Sequence, residues 1–321
     1  MRKTMSHQQE MSSGELVLDA AKAKALTRTH TFALATPITR IATFHSGSLS
    51  ALVASLPALL ALRESFPGAH ISSFARAPHV GLLAHFRACD EAHARPGDGV
   101  AGAGQAALMA RLHASGFDLA IAFSPGANVM LLLWSTRASQ RAGFVPSPFE
   151  AFLTHRVERR GPLHTRDGLD LVAQVGANPR GSRVSESLEV PQETYDLLRA
   201  RLPFEFGEFV LAPFDSDVPR ASKDGNSDWA SALTQMRAHW PVIVAAPRAG
   251  SWKETAAVPA LHGAFVWPAP DALTLLALSR TARAVVGPGG AATELALLDG
   301  RRVVRASPED APGETLRMLG L

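Results

Sequence analysis

Short apolar runs alternate with helical segments along the chain from residue 40 onward. In the first half, the runs predict strands at Arg40–His45, Ile71–Phe74, Leu119–Phe123 and Gln140–Phe144. The segment Ala51–Ser65 predicts a helix between the first two strands, because its leucines recur at helical spacing. Strands that alternate with helices in this way indicate a parallel sheet covered by helices on both faces.

A polar segment rich in Gly, Arg and Ser interrupts the pattern at 178–187, and we place a domain boundary there. A second alternating set follows, with predicted strands at Phe209–Ala212, Val242–Ala246, Ala264–Trp267 and Ala284–Val286. The pattern therefore predicts an α/β protein with two Rossmann-like domains, over 40–180 and 186–321, whose parallel sheets face each other across a cleft. Residues 1–39 form a polar, Ala-rich leader without an assigned function, and partial disorder is one expectation for it.

The segment 284–300, AVVGPGGAATELALLDG, is the most distinctive stretch of the chain. An apolar run, a glycine turn, a helical segment and a second apolar pair, Val303-Val304, follow one another, as in a βαβ unit. Such a turn lies at the carboxyl end of its strand, where open α/β sheets bind ligands and where helix N–H groups favour phosphate. The candidate donor-binding residues are Gly287, Gly289, Gly290, Thr293 and Glu294, the last as an acceptor for ribose hydroxyls. The alternative is that the glycines only permit a tight turn and that Glu294 only complements the helix dipole.

Composition and charge narrow the classes of function. The 321 residues are 46% hydrophobic and 19% charged, which fits a globular protein with a large core. The single cysteine, Cys89, excludes an internal disulfide and a Cys-based zinc site. The net charge of +3 suits an anionic substrate or a membrane surface, but it is too small to indicate nucleic acid alone. No run is long enough to span a bilayer and no secretory signal is evident, so we expect a cytoplasmic location and leave open a peripheral contact with the inner membrane face.

Several segments, in this order, match the motifs of a known family. The opening strand and loop, RIATFHSGSLSALVASLPAL, matches most clearly at Leu56-Pro-Ala-Leu59. FDLAIAF at 117–123 is similar to a YDLVID strand, RAGF at 141–144 to RIGF, and the segment 284–296 to VVGNDTGPxHLA. Together they resemble glycosyltransferase family 9, the heptosyltransferases of lipopolysaccharide core synthesis. The resemblance implies the GT-B fold, in which the first domain binds mainly the acceptor and the second binds the sugar nucleotide.

The chain departs from that family at the residues with the clearest chemistry. Counted back from Leu56, the family's acidic residue, its usual catalytic base, falls on Ala51. Its phosphate-binding Asp-Thr falls on Gly289 and Gly290, and its histidine falls on Glu294. A glycine turn followed by a glutamate resembles instead the peptidoglycan N-acetylglucosaminyltransferase, where these groups hold the diphosphate and ribose of a UDP-sugar. The resemblance thus leaves both an ADP-linked and a UDP-linked donor open.

Glycosyl transfer requires that the departing diphosphate be stabilised by positive charge. The resemblance places a loop cation at Arg220, or at Lys223 if the loop is longer, and the alternative is that both are solvated loop charges. The backbone N–H groups of Gly289 and Gly290 would assist them. We expect no metal site, because the resemblance implies transfer without a metal and the sequence shows no cluster of His and Cys ligands.

The acceptor hydroxyl also needs a base, which contributes about 10²–10⁴ in rate. His45 is the candidate, since it follows the first strand and histidine titrates near neutrality. The alternative is a partly buried histidine bonded to the backbone. Ser46, Ser48 and Ser50 would bind acceptor hydroxyls, or would serve only as turn formers.

The leading hypothesis is a metal-independent glycosyltransferase that moves a heptose-like sugar from a nucleotide-sugar donor to a cell-envelope glycan or lipopolysaccharide-type acceptor. The expected partners are that donor and an anionic glycan or lipid-linked acceptor, with no nucleic acid. No cofactor is expected, because the ADP- or UDP-linked sugar is a substrate. The alternative, favoured by Ala51, is a non-catalytic GT-B relative that binds a nucleotide sugar or glycan without transfer. A GT-B-like epimerase is less favoured, since no strong acid–base pair is evident.

Overall fold

A computed structural model describes residues 37–97, 103–159, 161–180, 183–213, 234–246, 263–287, 289–305 and 317. Contacts divide the chain into two units, Met1–Pro37 and Ile38–Leu321, and every element named below belongs to the second unit. Nearly all of the predicted leader lies outside the described residues.

Six parallel strands form the first sheet. They are β1 (Arg40–Phe44), β2 (His70–Ala75), β3 (Glu91–Ala94), β4 (Leu119–Ala122), β5 (Gln140–Val145) and β6 (His155–Glu158). Their order across the sheet is β3-β2-β1-β4-β5-β6. β1 pairs with β2 on one side and with β4 on the other, so the direction of winding reverses between β1 and β4. This is the strand order of a doubly wound Rossmann sheet.

Five parallel strands form the second sheet. They are β7 (Val210–Pro213), β8 (Val242–Ala246), β9 (Phe265–Pro268), β10 (Ala284–Gly287) and β11 (Val303–Arg305). Their order is β11-β10-β7-β8-β9, which repeats the winding of the first sheet, so its switch point lies between β7 and β10. The two sheets confirm the predicted α/β architecture, while the predicted limits of the domains stay a prediction.

The strand prediction is confirmed for the central strands, with small shifts at their ends, but it omits β3 and β6. These two strands lie at the two edges of the first sheet. Their sequences, EAHA and HRVE, contain no apolar run, and none of their residues is fully buried. An edge strand is only partly covered by helices, so its backbone pairs without the apolar run that marks a buried parallel strand.

Helices connect and cover the strands. Those of the first half are α1 (Leu49–Ser65), α2 (Ala77–Ala84), α3 (Ala103–Ala114), α4 (Ala127–Ser135) and α5 (Thr165–Ala173). The short α6 (Val184–Ser187) and α7 (Gln192–Arg201) lead to the second sheet, where α8 (Ala272–Thr281) and α9 (Ala291–Leu298) are described. Within the described ranges, no helix combines the length and the apolar character that crossing a bilayer requires.

One buried apolar cluster contains helices from both halves of the chain. It includes Leu52 and Leu56 of α1, Leu276 of α8 and Leu295 of α9, all of them almost completely buried. Helix α1 packs against α9, and α2 packs against α8. Because α1 begins at the serine loop after β1 and α9 begins at the glycine turn after β10, this packing connects the two predicted binding loops through one core.

Candidate functional site

The glycine turn after β10 lies at the switch point of the second sheet, beside the carboxyl end of β7. Gly289 and Gly290 have φ values of 114° and 103°, a region that residues with a Cβ rarely adopt. Gly290 is the N-cap of α9 and has no side chain with which to cap the helix. A helix start without a capping side chain leaves room for an anion at its backbone N–H groups.

Gly287 and Thr293 pack against each other beneath the turn. A Cβ atom at position 287 would lie 3.0 Å from Thr293 Oγ1 and 3.5 Å from Pro213 Cγ, so a side chain there would displace its neighbours. Thr293 is fully buried, and its hydroxyl has no hydrogen-bond partner in the described part of the chain. These two predicted site residues therefore lie below the surface of the turn, where they determine its shape.

Glu294 lies in the first turn of α9, and its carboxylate is paired with Arg305. Arg305 Nη2 lies 2.5 Å from Glu294 Oε1, and the β10–β11 register places Arg305 opposite Gly287. The predicted acceptor for ribose hydroxyls is thus one half of an ion pair at the edge of the turn. Arg305 is not among the predicted site residues. It is the last residue of β11 and directly follows the apolar pair Val303–Val304.

His45 follows β1 directly, is fully buried, and stacks on Phe123 with 5.3 Å between the ring centroids. Its Nδ1 lies 2.9 Å from Ser55 Oγ, and its Nε2 lies 3.2 Å from Thr43 Oγ1. The Ser55 hydroxyl donates to the Leu52 carbonyl, so it accepts from Nδ1–H. This arrangement assigns the proton to Nδ1 and leaves Nε2 to accept from the Thr43 hydroxyl.

The hydrogen-bonded chain continues from His45 into the sheet. Thr43 Oγ1 lies 2.8 Å from Ser73 Oγ, which lies 3.1 Å from the Cys89 sulfur. Since Thr43 donates to the imidazole, Ser73 donates to Thr43 and the Cys89 thiol donates to Ser73. Every group in this network, in which Cys89 is half-buried and the other side chains are buried, has a partner when the imidazole is neutral and the thiol is protonated.

This environment does not suit His45 to the role of a base. Burial, and then the charges of Arg95 and His79, lower the pKa of the His45 imidazole to about 3. Both ring nitrogens are engaged, whereas a general base must reach the acceptor hydroxyl with a free lone pair. The structure supports the alternative interpretation, a histidine bonded within the core, with the difference that its partners are serine and threonine side chains and not the backbone.

The serine loop lies between β1 and α1. Ser48 is exposed and is the N-cap of α1, where its hydroxyl accepts from the Ala51 N–H at 3.3 Å. Ser46 is half-buried in the loop, whereas Ser50, also half-buried, lies in the first turn of α1 and not in the predicted loop. The Ser48 geometry is that of a turn former, and Ala51, at the family's base position, has only a methyl side chain.

Basic side chains that the sequence analysis missed lie beside this loop. Arg95 is buried, with 4% of its surface exposed, and its Nε donates to the His45 carbonyl at 3.0 Å. His79 Nε2 lies 3.2 Å from the Gly47 carbonyl. Burial lowers the pKa of the His79 imidazole, and the charges of Arg76 and Arg95 act in the same direction, against the Gly47 carbonyl. Arg76 follows β2, which the sequence predicts, and Arg95 follows β3, so only the position of Arg95 at the carboxyl edge of the sheet required recognising β3.

The predicted loop cations, Arg220 and Lys223, lie outside the described residues and stay predictions. The same predicted loop contains an Asp-x-Asp pair, Asp215 and Asp217, whose carboxylates are of the type that binds divalent cations. The expected absence of a metal site therefore stays a prediction. In the ranges that the structure describes, no three His, Cys, Asp or Glu side chains are arranged to hold a metal ion.

We expect the Cys89 thiol to be unreactive in the folded protein. Burial raises its pKa to about 12, against the opposing charge of Arg63, and the thiolate is the reactive form. Ellman's reagent should therefore release little thionitrobenzoate from native protein at about pH 8 and one equivalent per chain after unfolding. Because the chain has one cysteine, the unfolded protein is its own control. Rapid labelling without denaturant would contradict the buried network.

Comparisons with known proteins identify the fold. No protein-family model and no curated protein matches the sequence. Among solved structures, the Escherichia coli ADP-heptose lipopolysaccharide heptosyltransferase II matches with a TM-score of 0.68 at 15% identity, over 88% of this chain and 98% of that one. A family 9 glycosyltransferase from Veillonella parvula matches with a TM-score of 0.67 at 14% identity, over 87% and 86%. The UDP-GlcNAc 2-epimerase of Methanocaldococcus jannaschii matches with a TM-score of 0.52 at 8% identity, over 88% and 92%. The chain therefore has the predicted GT-B fold, which it shares with family 9 heptosyltransferases.

Proposed function

We propose that the protein is a glycosyltransferase that moves a heptose-like sugar from a nucleotide-sugar donor to a cell-envelope glycan or lipopolysaccharide-type acceptor. The observation that carries the proposal is the glycine turn. Gly289 and Gly290 directly precede helix α9 at the switch point of the second sheet, and Glu294 lies in the first turn of that helix. A helix start of this kind favours a diphosphate, and a nearby carboxylate suits ribose hydroxyls. The shared fold of the ADP-heptose transferase supports this class of donor.

Departure of the nucleoside diphosphate requires positive charge near the glycine turn. In this proposal, the N–H groups and dipole of α9 supply one part of it, and Arg220 and Lys223 supply the other. Transfer then proceeds without a metal ion. The Asp215–Asp217 pair makes a chelator the direct check: activity that survives EDTA supports this account, and activity that requires a divalent cation contradicts it.

The basic side chains beside the serine loop suit an anionic acceptor. Arg76 and Arg95 follow β2 and β3 at the carboxyl edge of the first sheet, and Arg95 bonds to the His45 carbonyl next to Ser46. His79, whose pKa is lowered, does not contribute to this charge near neutral pH. Positive charge raises the local concentration of an anionic glycan, and the serine hydroxyls would hydrogen-bond to it. In this proposal the protein is cytoplasmic, and a lipid-linked acceptor would bring it into peripheral contact with the inner face of the membrane.

Two observations favour a second candidate function, a relative that binds a nucleotide sugar or glycan without transfer. Ala51 stands at the family's base position, and both ring nitrogens of His45 are engaged in the core. Without a base, transfer would be slower by a factor of about 10²–10⁴. The two candidates share donor binding and differ in turnover.

A nucleotide-sugar panel separates the two candidates. A ligand that binds only the folded state stabilises it by ~2.7 kcal/mol at a hundred times its Kd, so ADP- or UDP-linked sugars should raise the Tm by about 5 °C. Sugar phosphates without a nucleotide are the control. Mass spectrometry of acceptor glycans then detects transfer. Binding with turnover supports the transferase, binding without turnover across the acceptor panel supports the second candidate, and no Tm shift with any donor contradicts both.

A further inference from the structure

We propose that Arg305 acts on the donor site through Glu294: it neutralises that carboxylate at the rim of the glycine turn, so that a nucleoside diphosphate can bind there. This inference rests on the proposed function of the turn.

The topology of the βαβ unit brings these two residues together. β11 is the edge strand of the second sheet, and its last residue, Arg305, is the register partner of Gly287, where the turn begins. Glu294 lies in the first turn of the crossover helix α9, whose N-cap is Gly290. The side chain of Arg305 therefore meets the carboxylate at the same end of the sheet as the turn, with 2.5 Å between Nη2 and Oε1.

An unpaired carboxylate at this position would oppose the ligand. Glu294 lies within one helical turn of Gly290, and its charge would repel a diphosphate at the helix start. The guanidinium of Arg305 cancels that charge, so the field at the turn is the positive one of the helix N-terminus. A carboxylate offers about four acceptor positions, and the contact with Arg305 Nη2 leaves others for ribose hydroxyls. One ion pair thus reconciles a ribose acceptor with an adjacent phosphate site.

Exposure distinguishes this pair from a structural ion pair. The side chains of Arg305 and Glu294 are 60% and 49% exposed, whereas the Asp299 carboxylate that pairs with Arg280 is 1% exposed. An exposed pair adds little to folding stability, so its removal should leave the fold intact. The same exposure keeps the Glu294 carboxylate accessible to a ligand.

The test compares diphosphates with nucleosides, ADP with adenosine and UDP with uridine, by calorimetry on the full chain. In R305A, affinity for the diphosphate should fall about tenfold, while affinity for the nucleoside changes less than about twofold, because only the diphosphate senses the uncancelled charge. R305K keeps the charge and should recover most of the loss. In R305A/E294Q, diphosphate affinity should return to within about threefold of E294Q, because no carboxylate remains to be neutralised.

Two results would overturn the proposal while the wild-type protein still binds a diphosphate. One is an equal loss of diphosphate and nucleoside affinity in R305A. The other is a diphosphate loss that persists in R305A/E294Q, which would mean that Arg305 contacts the phosphates itself. If the wild-type protein binds neither ADP nor UDP, the proposed function fails, and this inference fails with it. The Tm of each variant, expected to equal that of the wild type, controls for folding.

Discussion

Replacement of Gly290 by aspartate is expected to abolish the thermal shift that nucleotide sugars produce, with a loss of affinity of about a hundredfold or more. Gly290 has φ 103° and ψ −178°, a combination that is essentially restricted to glycine, and forcing a side chain into it costs about 1–3 kcal/mol. An aspartate at the N-cap would also accept hydrogen bonds from the first N–H groups of α9 with its own carboxylate. It would thereby occupy the proposed phosphate site and repel the ligand.

Two matched variants separate backbone strain from the loss of the anion site. Gly290→Ala introduces the strain without the charge and should keep part of the shift. Gly300→Ala introduces a Cβ at φ 71° at the other end of the same helix, where it would meet no atom within 4 Å, and should keep the whole shift. The measurement is the Tm of each variant with and without the best donor of the panel. An unchanged shift in Gly290→Asp would place donor binding elsewhere in the protein.

The central strands of both sheets are predictable from sequence because burial on two faces imposes apolar runs. Ala284–Gly287 and Val242–Ala246 are such strands, and parallel strands connected by helices limit the topology to few arrangements. The edge strand Glu91–Ala94 escapes this reasoning, since helices cover it only in part. Its omission has a functional consequence, because Arg95 follows it directly and lies beside the serine loop.

The glycine turn is predictable because Gly289 and Gly290 have no substitute at their φ values. The contact of Arg305 with Glu294 is not predictable from local pattern, because it joins a strand end to a helix start across a crossover. The buried and fully hydrogen-bonded state of His45 is likewise not predictable from the local sequence pattern. A histidine after a strand is equally compatible with a base at the rim and with a buried group, and the neighbours that decide between them include Ser55 of α1 and Phe123 directly after β4.

Acidification is expected to destabilise the protein through His45. Its pKa is about 3 in the folded state and near 6.5 when unfolded, so below pH 6.5 the unfolded state binds more protons. The stabilisation is complete above about pH 6.5 and is lost as the pH falls toward 3. The loss approaches roughly 5 kcal/mol, since each pKa unit corresponds to about 1.4 kcal/mol. Chemical unfolding at a series of pH values measures it.

A comparison with His45→Gln isolates this contribution from other groups that titrate in acid. The pKa of His79 is also lowered by burial, and that of Asp118 is lowered by its bonds to Thr39 despite the opposing effect of burial, so both add to the acid sensitivity of either protein. The variant should be less stable near neutrality, because its amide cannot bond to both Thr43 and Ser55 as the imidazole does. Its stability should then fall less steeply than that of the wild type between about pH 6.5 and 3.

An NMR titration of the His45 ring tests the same point on the wild-type protein. Ring resonances that do not titrate above about pH 5 would agree with a neutral imidazole. Parallel stability curves, or a ring that titrates near its ordinary pKa, would contradict a neutral, fully bonded imidazole and would make His45 available again as the acceptor base.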